Sequence, residues 1–224
     1  PPTFTIMRYS PNNAVNSQPI VLVGKGLVYD TGGLNLKPGD YMNDMKEDMA
    51  GAAMMASALY AVACLGLPIS IIGLFPATDN RPCGNAYASG DIINMYDGTN
   101  VEVVNTDAEG RMILADALAY AKGLSPKLLV DAATLTGAAA RAIGSFGIAS
   151  IQQNAERYMS LLKQSGETVY ERIAEFPFWE EYDELIKSDI ADIKNCGIAE
   201  AGMITAGKFL AHFTDYPYIH LDIA

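Results

Sequence analysis

The chain has 224 residues, half of them apolar, and a formal charge of −11. That is enough chain to bury a substantial core, but the acidic balance argues against a nucleic-acid or anionic-membrane surface, which needs a basic face. No run of roughly eighteen uncharged apolar residues marks a membrane span, and three cysteines in no Cys-x-x-Cys pair (Cys64, Cys83, Cys196) fit small buried thiols in a reducing, cytoplasmic compartment.

The chain opens Pro1-Pro2-Thr3-Phe4 with no signal peptide and no initiator Met, as a processed chain or the C-terminal part of a longer protein would. Phe4 to Tyr9 alternates apolar and polar residues and predicts a strand, followed by a polar turn. Pro19 to Gly24 predicts a buried strand that Leu27 to Tyr29 continues, with a loop at Asp30-Thr31-Gly32-Gly33. Asp44 to Leu65 is the longest helical pattern, and its small apolar residues on almost every side predict a buried helix. Ile69 to Phe75 reads as a strand and Asp79 to Asp91 as a long loop. After Val101 to Val104, a strand, Met112 to Lys122 repeats apolar residues at helical spacing. Lys127 to Val130 is a strand and Ala138 to Ile143 a small-residue helix. Phe146 to Ile151 is a strand, Ala155 to Glu175 one or two amphipathic helices, and Glu180 to Asn195 a surface crossing. Gly202 to Phe213 predicts a helix and Tyr218 to Ile223 a closing strand. The alternation implies an α/β fold over residues 1–224: a mostly parallel mixed sheet sandwiched between helices.

Val101-Glu-Val-Val-Asn-Thr-Asp-Ala-Glu-Gly-Arg111 organises the rest. Two carboxylates, Asp107 and Glu109, a glycine that lets the backbone turn, and Arg111 fall between a strand and a helix. That is the edge of an α/β sheet where ligands bind. Few residues here are charged, so those set in apolar surroundings stand out: Lys25 between glycines, Asp30, Lys37, and Asp48 inside an apolar helical pattern. Four carboxylates held together raise one another's pKa unless positive charge is supplied. Two divalent cations balance all four, and oxygen ligands suit Mg, Mn and Zn. Lys25 is then either a counter-charge or a neutral amine bound to metal.

Other readings fit less well. Asn105-x-Asp107-x-Glu109-Gly110 resembles the start of a calcium loop, but its last position falls on Asp116 within a helix. Gly24-Lys25-Gly26 has Tyr29 where a Rossmann fingerprint needs glycine. His212 and His220 read as packed or surface residues. Asp131 stands open between a supporting role at the site and ordinary hydrogen-bonded structure.

Asn105-Thr-Asp-Ala-Glu-Gly-Arg111 resembles the signature of the leucyl (cytosol) aminopeptidase family, two-metal exopeptidases. Val23-Gly-Lys-Gly, Tyr29-Asp-Thr-Gly-Gly, Leu36-Lys-Pro, Glu47-Asp-Met-Ala-Gly-Ala-Ala, Asp131-Ala-Ala-Thr-Leu-Thr-Gly-Ala and His220-Leu-Asp-Ile-Ala are similar to that family's blocks, in the same order. The resemblance implies a metalloaminopeptidase that removes apolar, leucine-like N-terminal residues from peptides by attack of a hydroxide bridging two metals. It implies that Asp30 and Glu109 bridge the metals, Lys25 and Asp48 complete the tighter site, and Asp107 the looser one. Lys37 would stabilise the oxyanion, and Arg111 would hold a bicarbonate ion as general base. Met45, Thr134, Leu135 and Gly137 would line the pocket for the first side chain. The metals implied are Zn or Mn, with Mg or Co admissible, and the assembly a homohexamer. The family's N-terminal domain and the segment after His-Leu-Asp-Ile-Ala have no counterpart in these residues. Met203 and Lys208 stand where smaller or apolar residues are commoner. DNA-binding relatives and an inactive fragment are the alternatives.

Overall fold

Eleven strands follow in chain order: β1 (Thr3–Tyr9), β2 (Ile20–Gly24), β3 (Gly26–Asp30), β4 (Ile71–Asn80), β5 (Ile92–Asn94), β6 (Asn100–Glu102), β7 (Leu128–Ala133), β8 (Ile148–Gln153), β9 (Ile173–Glu175), β10 (Ile193–Lys194) and β11 (Tyr218–Asp222). Five helices intervene: α1 (Ala50–Cys64), α2 (Glu109–Lys122), α3 (Gly137–Ile143), α4 (Glu156–Val169) and α5 (Gly202–Ala211). The structure, a computed structural model, describes residues 1–224. The main sheet runs β1-β4-β2-β7-β11-β8-β9, with β3 also on β4, and the second sheet runs β10-β6-β5. In the main sheet β2, β3, β4, β7 and β11 are mutually parallel, whereas β1 lies antiparallel on β4 and β8 antiparallel on β11.

The central strands are buried on both faces, as parallel strands covered by helices must be. Along β7, Leu129 and Ala133 point into the core with α2, α3 and α5, while Leu128 and Ala132 point to the side of α1 and α4. Val21, Val23, Ile72 and Leu74 share the first face. Leu118 of α2 and Phe209 of α5 are fully buried there, each side chain stabilising by about 1.5–3 kcal/mol. On the other face α1 approaches very closely. A Cβ on Gly51 would stand 2.1 Å from the carbonyl oxygen of Ala132, and one on Gly24 would stand 2.4 Å from the Cα of Ala52. Glycine at both positions lets the helix backbone rest on the strand ends.

β2 and β3 are separated only by Lys25 and pair with successive stretches of β4, Ile71–Leu74 and then Ala77–Asn80. Through this step the carboxyl ends of β2, β3, β4 and β7 meet at one edge.

Several expectations need correction. Helical spacing begins at Asp44, but the chain first makes a 3-10 turn (Met45–Glu47), and α1 starts at Ala50. Asp48 therefore precedes the helix rather than interrupting it. Only Gly51, Met55 and Leu59 of α1 are buried, and Tyr60 is exposed, because only one face has a sheet beneath it. The strand before Asp107 belongs to the second sheet. β4 extends to Asn80, into the stretch read as loop. The span from Ala155 to Glu175 is one helix followed by β9, and the surface crossing contains a 3-10 turn (Glu180–Ile186) and β10. Cys64 and Cys83 are exposed and Cys196 is half-buried, so they are not core thiols. No helix is long and apolar enough to cross a membrane.

Candidate metal centre

Lys25 sits at the step between β2 and β3 with its backbone tied on both sides. Its N–H donates to Ala132 O at 3.1 Å, and its carbonyl accepts from Ala52 N at 2.9 Å. The side chain, 4% exposed, reaches Asp48 Oδ1 at 2.6 Å, the Thr134 carbonyl at 2.8 Å and Glu109 Oε1 at 3.2 Å. Thr134, just past the end of β7, also donates its hydroxyl to Asp48 Oδ1 at 2.7 Å.

Asp30 closes β3. Its Oδ1 accepts from Gly32 N and from Asn80 Nδ2, both at 2.8 Å, and its Oδ2 lies 2.8 Å from Lys37 Nζ. Lys37 also reaches Asp107 Oδ1 at 2.6 Å. Asp107 and Glu109 come from the other sheet's connection to α2. Asn105 holds that turn, its side chain accepting from Asp107 N at 2.8 Å. Gly110 plays a different part from the one expected. It is already helical, and a Cβ there would stand 2.3 Å from Lys25 Cε, so it clears the lysine's path.

Carboxylate oxygens of Asp30, Asp107 and Glu109 all lie within 4.8 Å of one another. Asp48 joins them through Lys25, and its second oxygen, Oδ2, is buried without a partner. Four carboxylates against two ammonium groups leave two negative charges unbalanced, which is costly away from water. Oxygen donors, surplus negative charge and an orphaned buried carboxylate oxygen fit divalent cations.

The protonation preferences follow. Burial disfavours the Lys25 ammonium, but Glu109, Asp48 and Asp30 outweigh it and hold Lys25 protonated. Burial likewise opposes a charged Lys37, yet Asp107 and Asp30 keep its pKa above the ordinary range. Asp30, though buried, is held low by Lys37, the Gly32 amide and Asn80. Burial wins at the other acids. It raises Asp48 despite Lys25 and Asp107 despite Lys37, and with Asp30 and Asp48 nearby it pushes Glu109 up to about 7 against the pull of Lys25. A neutral Lys25 is thus not its preference among these groups, and binding metal through its amine would require it to shed a proton.

Arg111 is 6% exposed, donating Nη1 to the Asn195 carbonyl at 2.7 Å, while its Nε is buried and unpartnered. Met45 lies half-buried on the 3-10 turn. Leu135 packs against the core and Gly137 opens α3 in an exposed position. Asp131 takes the structural of its two roles: it is buried, accepts the Tyr218 hydroxyl and pairs with His220 Nδ1 at 2.8 Å. His212 is exposed and His220 buried. Asn80 and Thr106 escape the sequence reading. Asn80 is neutral and sits in a stretch read as loop, five residues past the predicted strand end at Phe75, so nothing in the sequence marks it.

The catalytic-domain profile of the cytosol aminopeptidase family matches residues 1–224. A probable cytosol aminopeptidase of Chlorobium limicola is 50% identical over 227 residues, covering all of this chain and 45% of the relative. Two solved structures each cover 100% of the chain. The leucine aminopeptidase of Caenorhabditis elegans has a TM-score of 0.94 at 35% identity, over 47% of its length. The bottromycin maturation enzyme BotP in complex with Mn has a TM-score of 0.93 at 37% identity, over 49% of its length. The chain thus spans under half the length of the curated relative and of both structures.

Proposed function

The chain belongs to the cytosol aminopeptidase family, and from that premise we propose that residues 1–224 form the catalytic domain of a metal-dependent aminopeptidase acting on peptides with apolar N-terminal residues. The observation that carries this reading is the convergence of Asp30, Asp48, Asp107 and Glu109, from separate segments, around two buried or half-buried lysines. We assign Lys25, Asp30, Asp48, Asp107 and Glu109 as the ligands of two divalent ions. Manganese is supported by the relative whose name records Mn, and zinc, magnesium and cobalt suit the same donors. When bound, such a pair supplies Lewis acidity and a water activated at neutral pH.

The chain's own groups do the rest. Lys37, kept charged by Asp30 and Asp107, faces the acid cluster and is the donor for negative charge developing on a peptide carbonyl. Thr134 fixes Asp48 and, through its carbonyl, Lys25. Met45 and Leu135 supply apolar lining that suits a leucine-like side chain, with Thr134 and Gly137 beside them. Arg111, whose buried Nε has no protein partner, is the residue that would hold a bicarbonate ion. A cytoplasmic homohexamer is the proposed setting.

Replacing Asp107 or Glu109 by Ala in the complete protein tests the site. Hydrolysis of leucine amide with Mn supplied is expected to fall at least about a thousandfold, given the several kcal/mol a metal supplies to such a reaction. Activity within twofold of wild type would refute the assignment.

A further inference from the structure

Asn80 closes β4 at 7% exposure and touches both halves of the acid cluster. Its Nδ2 lies 2.8 Å from Asp30 Oδ1, 3.0 Å from the Thr106 carbonyl and 3.5 Å from Glu109 Oε2. All three are acceptors, so the amide must present its NH2 end to them. Two N–H groups serve Asp30 and Thr106, with Glu109 at the limit of reach. The backbone is fixed too, since the Asn80 carbonyl accepts from Thr31 N and Thr31 Oγ1, each at 2.9 Å.

These contacts link three elements that bring acids from opposite sides: the end of β3, the turn before α2 and the first residue of α2. A cation in this place would spend the negative charge that divalent ions need. An amide holds the same oxygens with partial charges only and leaves the net charge of the cluster unchanged.

We infer that Asn80 is a positioning residue of the metal centre. Its side-chain amide sets the spacing of Asp30 against Glu109 and thereby the affinity for divalent cations. The inference rests on the metal-centre reading above.

The test uses the complete protein, stripped with a chelator and titrated calorimetrically with Mn2+, comparing wild type, Asn80→Ala and Asn80→Ser. The Ser side chain is too short to span Asp30 and Thr106 together and serves if the Ala variant fails to fold. Manganese affinity is expected to drop about 10- to 100-fold, the usual effect of losing a partner that orients a ligand, with the melting temperature in chelator within a few degrees of wild type. Affinity within twofold of wild type overturns the inference, as does a loss accompanied by an equal collapse of the chelated protein, which makes Asn80 merely structural. Asp30→Asn separates the two levels: if it abolishes binding while the Asn80 variants bind normally, the metal centre stands and the role of Asn80 falls. A wild-type protein that binds no Mn2+ overturns both.

Discussion

On the proposed assignment, Glu109 is the acid whose protonation state sets how readily the centre takes up cations. Burial, with Asp30 and Asp48 beside it, pushes its pKa up to about 7 although Lys25 pulls the other way. The sign is direct. Below pH 7 the carboxyl carries a proton that an incoming cation must displace, and above it the carboxylate is ready. Apparent Mn2+ affinity should therefore fall by up to about tenfold for each pH unit below 7 on this group alone. Calorimetric titrations at pH 6 and pH 8 check it, and equal affinities would contradict it. At this scale the sequence was informative for charges and silent for neutral groups. Asp30, Asp48, Asp107 and Glu109 stand out because ionised side chains are costly in apolar surroundings, and the structure brings them together. Asn80 carries no such cost and no such mark.

At the scale of elements, α2 shows a helix start shaped by its neighbour. Gly110 lies in its first turn, where Ala would favour the helix by up to about 1 kcal/mol. The added methyl would nevertheless collide with the Lys25 stem, and the lysine is held at its tip by Asp48, Glu109 and the Thr134 carbonyl. Gly110→Ala is expected to lower the melting temperature in chelator by a few degrees, since overpacking a buried site costs about 1–3 kcal/mol, and to weaken Mn2+ binding at least about tenfold, as loss of a ligand's orientation does. Unchanged affinity would mean that Lys25 can shift without consequence. Helices and buried strands were largely readable from periodicity, but partners were not. Nothing in Val101-Glu102-Val103 tells whether that strand joins the main sheet or the small one, since pairing is decided by residues far along the chain. The start of α1 is hidden in the sequence for a related reason: the 3-10 turn at Met45–Glu47 has nearly the same local spacing as an α-helix.

Across the whole molecule, the acid cluster draws on Lys25, Asp30, Asp48, Asn80, the turn at Asn105–Glu109 and Thr134, so it exists only when β2, β3, β4, β7 and α2 are all in place. An unfolded chain offers no equivalent arrangement, and cations that bind only the native state stabilise it by mass action. At a free Mn2+ concentration about a hundred times the dissociation constant, the gain is about 2.7 kcal/mol. That is worth a rise in melting temperature of about 5–11 °C in a chain of this size. Thermal scans with Mn2+ and with chelator check this, and coincident curves would argue against native-state binding. The overall architecture was legible because alternating strands and helices admit few arrangements.

The step at Lys25 has one more consequence. β3 continues the pairing of β4 where β2 leaves off, with one irregularity in register between Leu27 and Tyr29, and away from it successive residues of the strand face opposite sides. Adding one residue between Gly24 and Leu27, ahead of that irregularity, would turn the Asp30 carboxylate to the far side of the sheet without altering the composition of the site. The spacing from Gly24 through that irregularity to Asp30 fixes which way the aspartate looks.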